Sequence, residues 1–177
     1  MISSKDVKIP EDRVGVLIGK GGSVKKKIEK EFNAKLEISP DGLVLMTGKD
    51  SLELYTCEKV VKAIGRGFNP EIALLLKNED YDFELVNIND YTRSVSSDLD
   101  RLRGRVIGKD GASRDLIEKK TQTYIVIYGK TIGIIGKLEM VEIAFDAIGM
   151  LLKGARHPTV FNYIDKELRK KVKGVIF

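Results

Sequence analysis

The chain contains one motif twice, 89 residues apart, and this repeat limits the folds that the sequence can adopt. When residues 18–38 are aligned with residues 107–127, eight of the 21 positions are identical. Ordinary residue frequencies would give roughly one or two identities. Shorter matches follow at offsets of 88 and 84, as expected when loop lengths change within a repeated unit. We therefore predict two copies of one small domain.

The 177-residue chain then divides into two domains, a connector and a tail. The predicted boundaries are 1–68 for the first domain, 69–79 for a connector helix, 80–154 for the second domain and 155–177 for a C-terminal helical tail. A composition of 42% hydrophobic and 32% charged residues is sufficient for folded cores. Asn69 followed by Pro70 is a typical helix start. The five apolar residues 72–76 after it are expected to pack between the domains.

Each copy shows the same order of predicted elements, which is strand, helix, helix, strand, strand, helix. The first helix ends at a glycine loop, and the second helix follows that loop with a buried stripe. The stripe is predicted to be Val24, Ile28 and Phe32 in the first copy and Ala112, Leu116 and Ile117 in the second. A hairpin and a long amphipathic helix close each copy. The predicted fold class is α+β, with a three-stranded antiparallel sheet and three helices on one face of it in each domain.

Positive charge is concentrated in three islands of the sequence. Residues 20–30, 101–120 and 166–173 each carry a net charge of +4, so the rest of the chain carries −7 within a total of +5. This distribution indicates a localised surface for a polyanion. For the third island, in the predicted C-terminal helix, we favour an ordinary solvated helix face.

Two glycine-rich loops carry most of the functional information. Gly19-Lys20-Gly21-Gly22 and Gly108-Lys109-Asp110-Gly111 each follow an isoleucine and precede a helix. Glycine permits a positive φ and a close approach of the backbone to a ligand, and the start of a helix favours phosphate. One Gly-x-x-Gly alone is a weak signal. Two of them in matching units predict a phosphate-binding loop in each copy.

The stretches Gly15–Ile28 and Gly104–Ile117 resemble tandem type I KH domains, a module that binds RNA and single-stranded DNA. The segments Asn69–Leu74 and Gly154–Phe161 are similar to the archaeal small-subunit ribosome-assembly KH family, called partner of Nob one in eukaryotes. The resemblance implies binding of precursor rRNA near the 3′ end of the small-subunit RNA. It also implies the rRNA 3′-end endonuclease and other assembly factors as partners. Eukaryotic members of this family have a degenerate first loop and bind RNA through the second domain alone. Both loops are intact in this chain, so its RNA binding need not be restricted to the second domain.

The resemblance implies a groove in each domain that holds about four unpaired nucleotides. Phosphates are expected on the two glycine loops, and bases against backbone groups of the strand that follows the second helix. The predicted RNA-binding residues are Ile18, Gly19, Lys20, Gly21, Gly22, Lys25, Lys26 and Leu36 in the first copy, and Arg103, Arg105, Ile107, Gly108, Lys109, Asp110, Gly111, Arg114 and Ile125 in the second.

The apolar residues near the loops could line a groove or fill a core. Ile18 and Ile107 directly precede the glycine loops, and we expect them to face the groove. Ile38 and Ile127 lie further along the chain, and for these two we favour the core.

Asp110 places a carboxylate inside a loop that is expected to bind phosphate. We expect Arg103, Arg105 and Arg114 to outweigh this charge at ordinary salt concentration. The alternative is that these arginines form a solvated helix face.

Residue counts disfavour several other functions. The single cysteine, Cys57, excludes an internal disulfide and multi-cysteine metal sites. The single histidine, His157, excludes metal centres with a pair of histidines and provides only one candidate for a Ser-His-Asp triad. The first loop lacks the Ser or Thr that holds magnesium in a P-loop. We therefore expect a binding protein without catalysis, cofactor or metal.

Two alternatives stay open at this point. The chain could be another kind of KH protein that binds mRNA or single-stranded DNA, or an enzyme whose glycine loop binds a nucleotide. No apolar run is long enough for a membrane span, and the first residues lack the apolar stretch of a signal peptide. We expect a cytoplasmic protein with no membrane partner.

Overall fold

The computed structural model of the chain describes residues 1–93 and 96–174, without the side chains of residues 96 and 97. The chain forms two compact units, Met1–Phe83 and Glu84–Phe177. The predicted order of strand, helix, helix, strand, strand, helix is present twice. Residues 175–177 of the predicted tail lie outside the described residues.

The first unit is built on a three-stranded sheet. Its elements are β1 (Ser3–Lys8), α1 (Glu11–Ile18), α2 (Ser23–Glu31), β2 (Ala34–Ile38), β3 (Leu43–Gly48), α3 (Ser51–Gly65) and α4 (Pro70–Ala73), with a 3₁₀ turn at Leu74–Lys77. The strand order is β1-β3-β2, and β3 pairs antiparallel with both neighbours. Val7, Val44 and Met46 are buried because alternate side chains of a strand point to the same face. This arrangement leaves β2 at an edge of the sheet.

The second set of elements repeats this plan and adds a helix. Its elements are β4 (Tyr81–Asn87), α5 (Ser96–Ile107), α6 (Ala112–Thr121), β5 (Tyr124–Tyr128), β6 (Thr131–Lys137), α7 (Leu138–Leu152) and α8 (His157–Gly174). The strand order is β4-β6-β5, and β5 pairs antiparallel with β6. The added helix, α8, contributes Val160 and Ile164 to the core of this unit. The predicted α+β fold class, with one three-stranded antiparallel sheet in each domain, is confirmed.

The end of α3 is held by an arginine from α1. Arg13 donates from Nε to the carbonyl oxygen of Ile64 at 2.8 Å, and from Nη2 to that of Phe68 at 3.0 Å. Carbonyl groups at the end of a helix lack intrahelical donors, and the helix dipole favours a cation there. Arg13 therefore ties α1, the helix that leads into the first glycine loop, to the closing helix of the unit.

The connector begins with the predicted cap. The side chain of Asn69 accepts a hydrogen bond from the N–H of Glu71 at 2.9 Å, and Pro70 occupies the first helical turn. Ala73 and Leu76 are buried, in agreement with the apolar run that follows the cap. The prediction that this run packs between the domains stays a prediction, as do the domain boundaries assigned from the sequence.

The buried face of α6 differs from the predicted stripe. Ala112 is exposed and Leu116 is half-buried, whereas Ser113, Ile117 and Thr121 are buried. The offset of 89 between the two copies explains the difference, because it aligns Ser113 and not Ala112 with the first inward position of α2. Two of the three inward positions of α6 are therefore occupied by small polar residues.

Candidate nucleic-acid interface

The two glycine loops have the same backbone conformation. The φ angles are 73°, 61° and 77° at Gly19, Gly21 and Gly22, and 73°, 54° and 78° at Gly108, Asp110 and Gly111. These angles are positive, which glycine tolerates best, and aspartate adopts the left-handed region more readily than most other residues. The loops at residues 19–22 and 108–111 therefore have equivalent shapes, although one position differs chemically.

The first glycine of each loop is required by packing. A Cβ atom on Gly19 would lie 2.5 Å from Cγ2 of Val24, and one on Gly108 would lie 2.6 Å from Cβ of Ser113. By contrast, a Cβ on Gly22 would meet no atom of the described residues closer than 3.7 Å. The front of the loop therefore faces open space, where a ligand could approach the backbone.

Each loop leads directly into a helix whose positive end is uncovered. The residues that precede α2 and α6 are glycines, so no side chain at that position can cap the helix. The first N–H groups of a helix and its dipole favour an anion. This arrangement suits a phosphate oxygen at each loop.

The surroundings of the first loop are positive. Lys20 and Lys26 are exposed, and Cε of Lys26 lies 3.7 Å from the position of a Cβ on the last loop glycine. On β2, Lys35 lowers the pKa of Glu37 through a hydrogen bond and an ion pair. The charge of Lys25 lowers the pKa of Glu37 further, so Lys25 lies within electrostatic range of this strand. The predicted lysines of the first copy are thus gathered around the loop and the edge strand.

The surroundings of the second loop are close to neutral. The carboxylate of Asp115 lies 3.8 Å, and the guanidinium of Arg114 4.0 Å, from the position of a Cβ on Gly111. These two side chains pair with each other at 3.0 Å between Nη2 and Oδ1. With Asp110 inside the loop, two carboxylates oppose the charges of Lys109 and Arg114. Equal loop shapes therefore carry unequal charge in the two units.

Arg105 makes structural contacts within its unit, and its predicted phosphate contact stays a prediction. Its Nε donates to the carbonyl oxygen of Leu151 at 2.9 Å, and its Nη2 donates to that of Ala155 at 2.5 Å. The carbonyl group of Arg105 itself accepts a hydrogen bond from Nε2 of His157 at 2.8 Å. Arg105 therefore holds the end of α7 to α5, as an arginine of α1 holds the end of α3.

Arg103 is also engaged within the protein. Its Nη1 pairs with Oδ1 of Asp100 at 3.2 Å, and its Nη2 donates to the carbonyl oxygen of Gly129 in the turn between β5 and β6. Of the three arginines that were expected to outweigh Asp110, only Arg114 is placed beside the loop.

The side chains of Leu36 and Ile125 are packed in the cores of their units, and their predicted contact with RNA stays a prediction. Their side chains are 0% and 2% exposed. The preceding helix covers the middle of each strand. In the first unit, Oε1 of Glu29 accepts a hydrogen bond from the N–H of Leu36 at 2.8 Å. In the second unit, Oε1 of Glu118 accepts one from the N–H of Ile125 at 2.7 Å. The sequence could have indicated these contacts, because the repeat has a glutamate at the same position in both copies.

Four isoleucines near the loops and strand ends keep part of their surface accessible. Ile18 and Ile107, expected to face the groove, are half-buried. Ile38 and Ile127, expected in the core, are also half-buried, because they lie beyond the part of the strand that the helix covers. The accessible apolar surface thus comes from the loop entrance and the strand end.

The edge strands offer backbone groups next to this apolar surface. β2 and β5 are edge strands in the orders β1-β3-β2 and β4-β6-β5. The N–H of Leu36 points away from β3 toward Glu29, and residues two apart in a strand direct their backbone groups to the same side. The N–H and C=O of Ile38 therefore face outward, where the edge of a base could pair with them.

Other kinds of site find little support in the part of the chain that the structure describes. Within residues 1–93 and 96–174, no group of three or more His, Cys, Asp and Glu side chains is placed to hold a metal ion. No helix within the same ranges is long and apolar enough to cross a bilayer. Cys57 is buried, and burial raises the pKa of its thiol to about 12.

A unit of strand, helix, helix, strand, strand, helix with a Gly-x-x-Gly between its first two helices defines a type I KH domain, and the chain has two. Comparisons with known proteins agree. The eukaryotic-type KH domain, described as KH-domain type I, matches residues 82–169, and the general KH domain matches residues 4–63. A KH domain-containing protein of Methanocaldococcus jannaschii is 50% identical over 175 residues, which cover 97% of this chain and 76% of the relative.

Two further relatives show to which family of KH-domain proteins the chain belongs. The pre-rRNA-processing protein pno1 of Emericella nidulans is 30% identical over 141 residues, which cover 77% of this chain but only 55% of the fungal protein. The chain of Dim2p in a crystal structure of an a/eIF2alpha–aDim2p–rRNA complex from Pyrococcus horikoshii OT3 is 40% identical, with a TM-score of 0.88 and coverage of 97% and 96% of the two chains. The present chain belongs to the PNO1/Dim2 family of KH-domain proteins.

Proposed function

We propose that this protein binds single-stranded RNA and acts as an assembly factor for the small ribosomal subunit, on precursor rRNA near its 3′ end. One observation carries the proposal. The helices α2 and α6 each begin at a glycine loop without a side-chain cap, and each is followed by an edge strand, β2 or β5. A phosphate on the loop would direct the neighbouring bases toward that edge. The protein acts by holding RNA and requires no catalytic group of its own.

The relatives support the ribosomal part of this proposal. One is named a pre-rRNA-processing protein, and a structural neighbour was crystallised with rRNA and a/eIF2alpha. By analogy, the partners of this chain are small-subunit precursor rRNA and other assembly proteins, including the endonuclease that matures the rRNA 3′ end. A cytoplasmic location follows from the same proposal.

The charge around the loops supports a difference in phosphate affinity between the two KH domains. The first loop is surrounded by Lys20, Lys25 and Lys26, whereas the charges near the second loop balance. Electrostatic attraction to phosphate is the main source of affinity that does not depend on sequence. We therefore expect the first loop to bind phosphate more strongly. Because both grooves are on one chain, a strand that reaches both binds more tightly than a short one.

The ligand is single-stranded because the strand edges can pair only with unpaired bases. An A-form duplex keeps its base edges in a deep and narrow major groove that side chains and strand edges cannot read. The two half-buried isoleucines of each unit provide the apolar surface on which a splayed base can rest.

A titration with three RNA ligands tests the proposal. The ligands are an oligonucleotide from the 3′ end of small-subunit rRNA, the same strand in a duplex, and a scrambled strand of equal length. We expect the single strand to bind at least about tenfold more tightly than the duplex, a difference of about 1.4 kcal/mol. Equal binding of the duplex would contradict the groove mechanism. Equal binding of the scrambled strand would keep the mechanism but favour a KH protein that acts on other RNA or on single-stranded DNA.

A further inference from the structure

The last helix presents a basic stripe that the glycine loops do not use. Lys166, Arg169, Lys170 and Lys173 are all exposed on α8. The last three follow Lys166 by three, four and seven residues, and these spacings place all four on one face of a helix. At about 100° per residue, the four side chains fall within an arc of roughly 100°. Four of the five basic residues in the third island of the sequence therefore form one continuous surface.

The opposite face of α8 is the face that packs on the protein. Val160 and Ile164 are fully buried, and Leu168 packs against the same core. The basic stripe thus points away from the core, and its orientation is fixed by the apolar contacts behind it. A stripe that is held in one orientation loses less conformational freedom when it binds a ligand.

The carboxylates of α8 do not neutralise the whole stripe. Asp165 lies to one side and binds Nζ of Lys120 on α6 at 2.6 Å. Glu167 lies to the other side, is largely covered, and pairs with Lys170 at 2.7 Å. Basic residues in the last turn are expected from the helix dipole alone. The dipole does not account for Lys166, which lies about two turns before the helix end.

The position of α8 within its unit favours RNA as the ligand. The contact between Asp165 and Lys120 attaches α8 to α6, the helix that begins at the second glycine loop. At 1.5 Å per residue, Gly111 and Lys120 lie only about 14 Å apart along the axis of α6. The charges beside that loop nearly cancel, so phosphate attraction in this unit needs another source.

We propose that the α8 stripe, defined as Lys166, Arg169, Lys170 and Lys173, binds the phosphate backbone of RNA outside the groove of the second KH domain. The inference rests on the proposed RNA-binding function and adds a contact surface to it. Contacts of lysine and arginine with phosphate position a strand and carry no base information. The stripe therefore increases affinity and salt dependence without changing which sequence is preferred.

The test uses the full chain with all four stripe residues changed to Ala. A matched control changes Lys8, Lys49, Lys62 and Lys77 to Ala, which removes the same charge from exposed positions of the first unit. Both proteins and the native chain are titrated over a range of salt with a six-nucleotide and a twenty-nucleotide segment of 3′-end rRNA. Circular dichroism and thermal unfolding confirm that each variant is folded.

We expect the stripe variant to bind the long strand about tenfold or more weakly, with a salt slope that falls by up to about 3, since each lost phosphate contact on a single strand contributes about 0.7. Its binding of the short strand should match that of the native chain, and the control should lose much less affinity for the long strand. An equal loss in the control, or an equal loss for the short strand, would overturn the proposal. So would unchanged RNA binding with reduced binding of poly-glutamate, because the stripe would then fit an acidic protein.

These outcomes separate the stripe from the proposed function itself. If the native chain binds neither strand, the RNA-binding function fails and the stripe proposal fails with it. If the native chain binds both strands and the stripe variant is indistinguishable from it, only the stripe proposal is overturned.

Discussion

The carboxylate of Glu118 accepts a hydrogen bond from the backbone N–H of Ile125 at 2.7 Å and so joins α6 to the edge strand β5. Glu29 and Leu36 make the same contact in the first unit at 2.8 Å. In both units the helix that starts at the glycine loop is tied to the strand that a base would meet. The contact therefore sets the distance between the helix and the edge strand that form the two sides of each proposed groove.

Removing this contact should lower stability. In Glu118→Ala the N–H of Ile125 loses its partner at a partly buried position, which costs about 1–3 kcal/mol of unfolding free energy. Glu118→Gln retains an acceptor oxygen and should lose much less. Glu139→Ala, at an exposed glutamate whose nearest cation is 3.6 Å away, is the control and should have little effect. Chemical denaturation measures all three, and equal stabilities of Glu118→Ala and the control would show that the contact is dispensable.

The two glycine loops should respond unequally to added negative charge. Lys20→Asp with Gly21→Asp should weaken RNA binding by about tenfold or more, because it places carboxylates where phosphate is held. The backbone should accept the second change, since Asp110 has a φ of 54° at the equivalent position. Lys109→Asp should have a smaller effect, because the second loop already carries a carboxylate.

The measurement for the loop variants is RNA affinity together with the thermal unfolding midpoint. Lys49→Asp, at an exposed lysine outside the loops, is the control and should bind nearly as the native chain does. If the Lys20 variant unfolds normally and binds RNA as tightly as the control, the first unit has no working groove. A larger loss for Lys109→Asp than for the Lys20 variant would reverse the proposed order of the loops.

Replacing two arginines of the second unit should affect different properties, stability for Arg105 and RNA binding for Arg114. Arg105→Ala removes two hydrogen bonds to the end of α7, and each bond from a charged donor contributes about 1.5–3 kcal/mol. This variant should therefore lower the unfolding midpoint. Arg114→Ala should leave the midpoint nearly unchanged and reduce the salt slope of single-strand binding by about 0.7.

These arginine variants need both a melting curve and a salt titration with the same RNA strand. A normal midpoint with a reduced salt slope in Arg105→Ala would support the predicted phosphate contact of Arg105 over a structural role. An unchanged slope in Arg114→Ala would mean that its pairing with Asp115 persists when RNA is bound.

The thiol of Cys57 should be unreactive in the folded protein. Burial raises its pKa to about 12 from an ordinary value of 9.0, so the native thiol stays protonated where an unfolded thiol begins to ionise. Because the unfolded chain releases this proton first, the thiol lowers stability as the pH rises above about 9. A disulfide reagent at pH 8 should react fully in guanidinium chloride and hardly at all in buffer. Rapid reaction of the native protein would show that α3 opens locally.

Element order and loop conformation could be predicted because both depend on residues that are close in sequence. The repeat at an offset of 89 revealed two equivalent units, and the glycines identified the positions of positive φ. The stripe on α6 was misassigned by one residue, since Ala112 and Ser113 are both compatible with a helix start. Burial distinguished them, with Ser113 inside and Ala112 outside.

The sequence by itself determined two KH units, their glycine loops and the concentration of charge near them, because these properties belong to local residue patterns. Only the tertiary structure decided where individual side chains point. Arg105 is directed by the carbonyl groups of Leu151 and Ala155, which lie 46 and 50 residues away in the chain. Leu36 is buried because a helix covers the middle of its strand. A side chain takes its role from what packs against it, and those neighbours come from distant parts of the sequence.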